Sequence, residues 1–348
     1  MQPINTAILS YGMSGKVFHA PLISSHPGFQ LHTIMQRSSE SSKRDYPGVR
    51  VVKTLEEVAN DAAIELVVVN TPNPTHHEFT QMMLEAGKHV VVEKPFTNTV
   101  AEAEDLMEIA RKQDRLISVF QNRRWDGDFK TVQKVIQDKL CGELVEFECH
   151  YDRFRNYVEE KTWKEEEAPG SGILYNLGSH MLDQVINLFG MPKNIFADLR
   201  TQRIGGQVAD NYEVICDYGY LKATAKSSYL VRELGPRYQV YGQQGTFLKY
   251  GIDPQEQALK DGFTPEMPGW GVEDREDWGF INTEMNGLHY EGRIETLPGS
   301  YQDYYENIFQ SIRNGEPLSV TAEQTTDVIR VIEAAIQSNQ EKRMVEVR

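Results

Sequence analysis

The stretch Ala7-Ile8-Leu9-Ser10-Tyr11-Gly12-Met13-Ser14-Gly15 joins a short apolar run to a turn that contains glycine. In the dinucleotide-binding fingerprint, a first glycine permits a tight turn, a second lets the backbone approach a pyrophosphate and a third lets helix and strand pack closely. Gly12 and Gly15 fill the second and third places, whereas Ser10 fills the first. The stretch predicts a dinucleotide site, with a ligand-free strand-to-helix turn as the alternative.

The first third of the chain alternates short runs rich in Val and Ile with helical patterns. The runs at 6–10, 30–35, 49–52, 66–70, 89–93 and 116–120 are typical of buried strands. Helical patterns cover 15–25, 55–60, 75–86 and 99–113, and Gly87 is placed to stop a helix before the next strand. The alternation predicts an N-terminal Rossmann domain of the α/β class, with a doubly wound parallel sheet over residues 1–122.

After residue 122 the pattern changes. A helix at 128–139, a strand at 143–151 and a helix at 174–189 precede alternating apolar and polar residues over 193–249. Alternation predicts a mostly antiparallel sheet with one packed face and one open face. We therefore expect a C-terminal α+β domain over 123–348 that binds substrate and forms a homodimer or homotetramer through its open sheet. The helices expected at 301–313 and 322–337 close the chain, and the last helices are candidates to pack back on the first domain.

Composition narrows the class of partner. The net charge of −15 disfavours nucleic acid and anionic membrane surfaces. The 3 cysteines lack metal or disulfide spacing. Because no apolar run reaches the ~18 residues of a membrane span and the N-terminus lacks a signal pattern, we expect a cytoplasmic protein. The pair His76-His77 predicts no metal site, since consecutive helical residues face apart and no third ligand follows.

The end of the second predicted strand bears on coenzyme choice. An acidic residue usually accepts hydrogen bonds from the adenine ribose there, but no carboxylate occurs before Glu40. Arg37 and Ser38, helped by Lys43, would instead hold a ribose phosphate. This pattern predicts NADP(H) as the preferred coenzyme, with NAD(H) possible, and a solvated basic loop is the alternative.

Four further motifs carry a family resemblance. They are the segments 11–21 (YGMSGKVFHAP), 86–95 (AGKHVVVEKP), 121–126 (QNRRWD) and 172–180 (GILYNLGSH). In this order they resemble the Gfo/Idh/MocA oxidoreductases, and they are most similar to the NADP-dependent scyllo-inositol dehydrogenase-like members. The resemblance covers essentially the whole chain. It implies a nicotinamide coenzyme on the first domain and a cyclitol or sugar substrate whose ring hydroxyl is reversibly oxidised.

The resemblance assigns the central chemistry to Lys94, which matches the family's EKP lysine. Hydride would pass to nicotinamide C4 while Lys94 exchanges the hydroxyl proton. Enclosure near an oxidised nicotinamide would lower the pKa of the lysine toward neutrality, where it serves as both base and acid. Pro95 is expected to follow in a cis bond, as in relatives. An exposed structural lysine is the alternative.

His180 follows Asn176 by four residues, so on a helix both would project from one face. The family usually carries aspartate where this chain has Asn176. Because an amide orients a hydroxyl but takes no proton, His180 is expected to carry more of the proton transfer. Asp183 is a candidate to orient His180, and a buried histidine bonded to backbone is the alternative.

Further expectations concern residues that line the two ligands, and ordinary packing is the alternative for each. The candidate coenzyme contacts are Tyr11, Gly12, Met13, Ser14, Gly15, Arg37, Ser38, Asn70, Thr71, Pro72, Asn73, His76, Glu93, Lys94 and Asn122. The candidate substrate contacts are Lys94, Arg123, Trp125, Tyr151, Arg153, Trp163, Asn176 and His180.

Two rival functions use the same fold. A coenzyme-binding regulator without turnover is supported by Asn176 alone, and the intact pair Lys94 and His180 opposes it. A glycoside hydrolase with tightly bound NAD is the other rival, and the basic end of the second strand opposes it.

Overall fold

The computed structural model describes residues 2–159 and 165–347. The chain forms two compact units, each assembled from separate segments. Unit 1 comprises Met1–Trp125, Pro254–Trp270 and Ser300–Thr326. Unit 2 comprises Asp126–Asp253, Gly271–Gly299 and Asp327–Arg348.

Unit 1 is built on a parallel sheet of 6 strands in the order β3-β2-β1-β4-β5-β6. Its strands are β1 (Ile4–Ile8), β2 (Phe29–Met35), β3 (Arg50–Val52), β4 (Leu66–Val69), β5 (His89–Val92) and β6 (Ile117–Val119). Strand β4 is buried along its whole length, as expected for a sheet covered on both faces. This order is that of a Rossmann fold, and the predicted doubly wound sheet is confirmed.

Helices cover the faces of this sheet. They are α1 (Ala20–Ser24), α2 (Ser42–Asp45), α3 (Leu55–Ala59), α4 (His76–Glu85) and α5 (Val100–Gln113). Helix α3 begins with a capping box in which Thr54 and Glu57 bond each other's backbone amides. Gly87, with a φ of +74°, ends the α4 segment as predicted.

Two later segments of the chain complete unit 1. They contribute α8 (Gln255–Lys260) and α9 (Gln302–Asn314). Tyr304 and Tyr305 of α9 are buried, and their rings meet Phe120 at centroid distances of 5.0 and 6.0 Å. These aromatic contacts hold α9 against the residue that follows β6.

Unit 2 contains a sheet of 9 strands in the order β14-β13-β12-β11-β7-β10-β9-β8-β15. Neighbouring strands are antiparallel except the parallel pair β7 and β10. The strands are β7 (Leu144–His150), β8 (Asn194–Arg200), β9 (Asn211–Asp217), β10 (Lys222–Ser228), β11 (Tyr238–Gly242), β12 (Gly245–Lys249), β13 (Gly279–Met285), β14 (Leu288–Ile294) and β15 (Val345–Glu346). The predicted large, mostly antiparallel sheet is confirmed.

One face of this sheet is covered by helices α6 (Gly127–Gln137) and α7 (Ser179–Phe189) and by the unit 2 part of α10 (Ala322–Glu341). Phe147 packs against Phe189 of α7, and the Ser338 hydroxyl of α10 accepts from the Ala197 amide. Alternate side chains such as Phe196 and Phe280 stay 37% and 39% exposed on the other face.

The structure corrects several local predictions. The helix predicted at 15–25 starts with a π-helical turn, Gly15–His19, before α1, and the helix predicted at 174–189 starts with another, Leu174–Gly178, before α7. Elements α2, α8, β13 and β14 were not predicted. The helices predicted at 301–313 and 322–337 are confirmed as α9 and α10, and the short strand β15, which pairs with β8, follows them. Among residues 2–159 and 165–347, no helix combines the length and apolarity that crossing a membrane requires.

Candidate active site

The serine at the start of the β1 turn fits there through its own side chain. Ser10 Oγ accepts a hydrogen bond from the Gly12 amide at 3.2 Å. The Ser10 carbonyl accepts from Asn70 Nδ2 at 2.8 Å. Ser10 does not have the positive φ that would require glycine. A serine therefore closes this turn by bonding the backbone two residues ahead.

The two glycines of the turn fill the places that the fingerprint assigns them. A Cβ at Gly15 would lie 2.0 Å from the Ser10 carbonyl oxygen and 2.7 Å from Asn70 Nδ2, so this position needs glycine for close packing. A Cβ at Gly12 would meet only Ser10 Oγ, at 3.4 Å. Gly12 is exposed, and Asn70 Oδ1 is buried without a hydrogen-bond partner. An open backbone, a packed glycine and a buried polar atom fit a bound dinucleotide.

The loop after β2 is shaped by the buried side chain of Gln36. Its Oε1 accepts from the Ser42 amide at 3.1 Å, and its Nε2 donates to Ser39 Oγ at 2.7 Å and to Ser41 Oγ at 3.0 Å. These hydrogen bonds hold the loop in place, and the side chains of Arg37 and Ser38 on the same loop are exposed to solvent.

On this loop Arg37 and Ser38 are both exposed. The Glu40 carboxylate forms ion pairs with Lys43 Nζ at 2.7 Å and with Lys53 Nζ at 3.6 Å. The expected helper Lys43 is thus already paired. Arg37 forms no ion pair with any residue that the structure describes. Its charge therefore faces solvent at the carboxyl end of β2, where a ribose phosphate is expected.

Tyr11 and Met13 lie on the rim of the β1 turn. The Tyr11 hydroxyl donates to Asp45 Oδ2 at 2.9 Å, and the Tyr11 ring meets Tyr46 edge to face. Burial and the Asp45 carboxylate raise the pKa of Tyr11. Met13 is 57% exposed. A large apolar side chain exposed beside a nucleotide turn is suited to cover a flat ring.

Glu93 and Lys94 follow β5 directly, and the Lys94–Pro95 peptide bond is cis, which confirms that expectation. Glu93 Oε1 accepts hydrogen bonds from the Ser14 hydroxyl and from His19 Nε2, the latter at 3.0 Å, and Glu93 Oε2 accepts from the Lys94 amide at 3.1 Å. Burial opposes ionisation of this carboxyl group. The donors from His19 and Ser14 and the charge of Lys94 nevertheless lower the pKa of Glu93 to about 2.

His19 was not among the residues that the sequence predicted for the site. Its side chain is fully buried, and its Nδ1 lies 2.7 Å from the Tyr305 hydroxyl of α9. It stood inside the segment 11–21, but nothing local in the sequence links it to Glu93 or Tyr305, which lie 74 and 286 residues away. Only the fold brings these groups together.

The segment after β4 is held together by His76. Its Nδ1 lies 2.8 Å from the Pro95 carbonyl oxygen, and its Nε2 lies 2.9 Å from the Thr71 carbonyl oxygen. Burial lowers the pKa of His76. His76 thus links the segment containing Thr71, Pro72 and Asn73 to the residue after Lys94.

The neighbouring His77 instead bonds Asp105 at 2.8 Å, so the two histidines face different partners. No group of three or more potential metal ligands occurs within residues 2–159 and 165–347.

The residues after β6 are engaged inside unit 1. Asn122 is buried. Arg123 is buried and forms an ion pair with Glu256 of α8, and the Trp125 ring packs on Tyr304 at a centroid distance of 5.6 Å. Both side chains predicted to touch substrate thus have structural partners within the unit.

In unit 2, Asn176 lies in the π-helical turn that precedes α7, and His180 lies in the first turn of α7. Asn176 Nδ2 donates to the Tyr229 hydroxyl at 3.2 Å. The Arg203 guanidinium lies 4.8 Å from the centroid of the Tyr229 ring. Arg203 is itself fixed by Glu165 and Asp210. A buried ionic network therefore backs Tyr229 and orients the Asn176 amide. π-Helical turns occur frequently at functional sites.

Two other predicted substrate residues of unit 2, Tyr151 and Arg153, lie in contact with each other. Tyr151 is buried, with the Arg153 and Arg237 guanidinium groups 5.0 and 4.5 Å from its centroid. Arg237 forms an ion pair with Asp128 at 2.9 Å. His180 and Asp183 are buried. The expected contact Trp163 lies outside the residues that the structure describes.

Comparison with known proteins identifies the family. Residues 4–121 match the family model "Oxidoreductase family, NAD-binding Rossmann fold", and residues 133–347 match "Oxidoreductase family, C-terminal alpha/beta domain". The chain belongs to the Gfo/Idh/MocA family of oxidoreductases. The resemblance read from the four motifs is thereby confirmed.

Individual Gfo/Idh/MocA relatives match over nearly the whole chain. The scyllo-inositol 2-dehydrogenase (NADP(+)) IolW of Bacillus subtilis is 44% identical over 98% of this chain and 95% of its own length. The oxidoreductase YdgJ of Escherichia coli is 40% identical over 96% of both chains. The solved structure of yvaA from Bacillus subtilis covers 100% of this chain and 99% of its own, with a TM-score of 0.96 and 42% identity.

Proposed function

We propose that this oxidoreductase is an NADP(H)-dependent dehydrogenase that reversibly oxidises a ring hydroxyl of a cyclitol or sugar, with scyllo-inositol as the first candidate. The name of the Bacillus subtilis relative supports both the substrate and the coenzyme. The exposed Arg37 at the carboxyl end of β2 supports NADP(H) independently. NAD(H) remains possible at the same turn, because nothing in the turn itself excludes it.

The observation that best supports this proposal is the set of residues at the carboxyl edge of the parallel sheet in unit 1. The strands β1, β2, β4 and β5 are parallel, and their carboxyl ends are followed by Gly12, Arg37, Asn70 and Lys94. The order of the sheet reverses between β1 and β4, and open α/β sheets bind ligands at such a point. A nucleotide turn, a cation for a ribose phosphate and an amine thus share the edge where this fold binds coenzyme.

The chain's own residues would divide the chemistry as follows. Gly12 and the amides of the Gly15–His19 turn would hold the pyrophosphate, and Arg37 with Ser38 the ribose phosphate. When bound, the nicotinamide supplies the acceptor for the hydride. In the oxidation direction Lys94 is the neutral amine that takes the hydroxyl proton, while the carbinol C–H bond breaks with both electrons and a C=O bond forms. In reduction Lys94, as the ammonium, returns that proton.

Unit 2 would supply the substrate contacts. We assign to Asn176 the orientation of a substrate hydroxyl, because its amide is held by Tyr229 and cannot take a proton. His180 is proposed to take part in proton exchange, since a histidine titrates in the physiological range. Arg153, whose guanidinium lies over the buried Tyr151 ring, offers planar donors, which suit a polyol.

The open face of the unit 2 sheet is assigned to self-association. Phe196 and Phe280 are exposed on it, and apolar side chains on a sheet face favour cover by a second copy. A homodimer or homotetramer is expected. Light scattering coupled to gel filtration measures this state, and a monomer at micromolar concentration would contradict the assignment.

A coupled panel assay tests the function. The protein is mixed with NADP or NAD and with inositols, aldoses and uronates, and the absorbance of reduced nicotinamide is followed. Steady formation of NADPH with scyllo-inositol or a related ring polyol is expected. Tight coenzyme binding without turnover on any polyol would favour the regulator, and release of nitrophenol from a nitrophenyl sugar would favour the hydrolase.

A further inference from the structure

His19 connects helix α9 to the end of β5. Its imidazole is fully buried, with Nδ1 2.7 Å from the Tyr305 hydroxyl and Nε2 3.0 Å from Glu93 Oε1. The Phe120 ring packs on the imidazole at a centroid distance of 4.5 Å. Both ring nitrogens therefore have one partner each, and the ring has no room to turn.

The direction of the hydrogen bonds follows from the charges. Glu93 is ionised at neutral pH and can only accept, so His19 Nε2 carries the hydrogen that it donates to Oε1. The other ring nitrogen, Nδ1, has the Tyr305 hydroxyl as its partner at 2.7 Å. Tyr305, His19 and Glu93 thus form one connected chain of hydrogen-bonded groups.

Both oxygens of the Glu93 carboxylate accept hydrogen bonds. Oε1 also accepts from the Ser14 hydroxyl, and Oε2 accepts from the Lys94 amide. Its negative charge is therefore held next to Lys94, the proposed acid and base. A nearby anion favours the charged form of an amine and therefore raises its pKa. An oxidised nicotinamide would act in the opposite direction.

We propose that His19 is a positioning residue, which holds the Glu93 carboxylate in place beside Lys94 and so sets the pH at which Lys94 exchanges its proton. This inference rests on the role of Lys94 in the proposed function. His19 itself touches neither the reacting atoms nor the coenzyme in this assignment. It acts through Glu93.

The other titratable groups near Glu93 do not compete for this role. His76 of α4 and Tyr304 and Tyr305 of α9 feel its charge. Burial lowers the pKa of His76, and burial raises the pKa of both tyrosines. All three are therefore uncharged at neutral pH. Glu93 thus carries a negative charge beside Lys94, with Ser14 and His19 as its side-chain donors.

Competitive labelling with limiting acetic anhydride tests the proposal without turnover, because only the neutral amine of Lys94 reacts. The acetylated Lys94 peptide is quantified by mass spectrometry across pH in the coenzyme-free protein. We expect the labelling midpoint to fall by about half a pH unit or more in His19→Phe and further in Glu93→Gln. His19→Gln, which retains an amide donor, is expected to restore much of the difference.

The matched control is His26→Phe. His26 forms a similar pair with Glu306 of α9 at 2.8 Å in the same unit. The His26→Phe substitution should therefore leave the labelling midpoint of Lys94 unchanged. An unchanged midpoint in a folded His19→Phe protein would overturn the proposal. If that variant does not fold, Tyr305→Phe decides, since loss of its hydroxyl should lower the midpoint and an unmoved midpoint overturns the proposal.

The same variants are then assayed for turnover. For polyol oxidation, the acidic limb of kcat/KM should move to lower pH in His19→Phe, in parallel with the labelling midpoint. Failure of the proposed function would give a different result. Turnover would persist in Lys94→Met, while the labelling midpoint in proteins that retain Lys94 would still depend on His19. The two failures are therefore distinguishable.

Discussion

The Ser14 hydroxyl donates a hydrogen bond to Glu93 Oε1, so the turn after β1 is bonded to the residue that precedes Lys94. In the primary sequence these residues are 79 positions apart. The bond links the turn assigned to the coenzyme pyrophosphate with the residue that flanks the proposed base. The proposed coenzyme turn and the proposed base thus belong to one connected set of residues within unit 1.

The two glycines of the turn should respond differently to the same substitution. Gly15→Ala places a methyl group 2.0 Å from the Ser10 carbonyl oxygen, so we expect the free energy of unfolding to fall by about 1–3 kcal/mol or more. Gly12→Ala meets only ordinary contact and should leave stability within about 0.5 kcal/mol. Urea unfolding measures both values.

Gly12→Ala should instead weaken NADPH binding by about tenfold or more, because the methyl group occupies the approach of the pyrophosphate. Fluorescence titration of NADPH measures this loss. Unchanged affinity in Gly12→Ala would contradict the place assigned to the pyrophosphate.

Arg37 should govern the choice between coenzymes. Removal of its charge in Arg37→Ala should weaken NADPH binding roughly 10- to 100-fold and leave NADH binding nearly unchanged, since a charge-assisted hydrogen bond contributes about 1.5–3 kcal/mol. Dissociation constants for both coenzymes, measured at fixed salt, give the ratio. Arg50→Ala is the control, because Arg50 pairs with Asp61 at the opposite end of the sheet. A constant NADPH to NADH ratio would refute the assignment of Arg37.

The low pKa of Glu93 predicts a loss of stability in acid. The pKa of Glu93 in the folded protein is about 2, against 4.5 in the unfolded chain. Its contribution is therefore complete above the unfolded value and is lost as the pH falls from about 5 toward 2. Urea unfolding of Glu93→Gln should show a smaller loss of stability between about pH 7 and pH 3 than the wild type. The exposed Glu56→Gln serves as the control, and an equal acid loss in Glu93→Gln would contradict this argument.

Asn176 should affect substrate binding without affecting the pH dependence. Asn176→Ala should raise KM for the polyol about fivefold, as expected for loss of a hydrogen bond of about 1 kcal/mol. The acidic limb of kcat/KM should stay in place, because an amide does not titrate. Asn176→Asp should add a new limb to the profile. Steady-state kinetics across pH decide, and a shifted limb in Asn176→Ala would count against the orienting role.

Much of the fold was predictable because its signals are local. In unit 1, buried Val-rich strands alternate with helices. In unit 2, the alternation of apolar and polar residues along the strands from β7 to β12 indicates a sheet with one packed face. The elements α2, β13 and β14 escaped prediction for local reasons as well. Helix α2 has only 4 residues, and β14 is exposed on nearly every side chain, so its sequence carries little alternation. Strand β15 has 2 residues and exists through its pairing with β8.

The candidate site divides in the same way. Gly12 and Gly15 belong to a short motif whose role is predicted from residue types and spacing, whereas the role predicted for Lys94 comes from the family resemblance. His19 and Tyr229 have partners that are distant in sequence, so no local pattern predicts these contacts. Arg123 and Trp125 have partners that the sequence did not indicate, Glu256 and Tyr304, and their contact with substrate stays a prediction.

The most direct test of the whole account follows a single deuterium. Scyllo-inositol labelled with deuterium at its ring carbons is incubated with NADP and either the wild type or Lys94→Met, which keeps side-chain volume without a titratable amine. The wild type should deliver deuterium to nicotinamide C4, and Lys94→Met should bind NADPH with unchanged affinity while its rate of transfer falls by about a thousandfold. Transfer by Lys94→Met at the wild-type rate would contradict the central claim that Lys94 exchanges the hydroxyl proton.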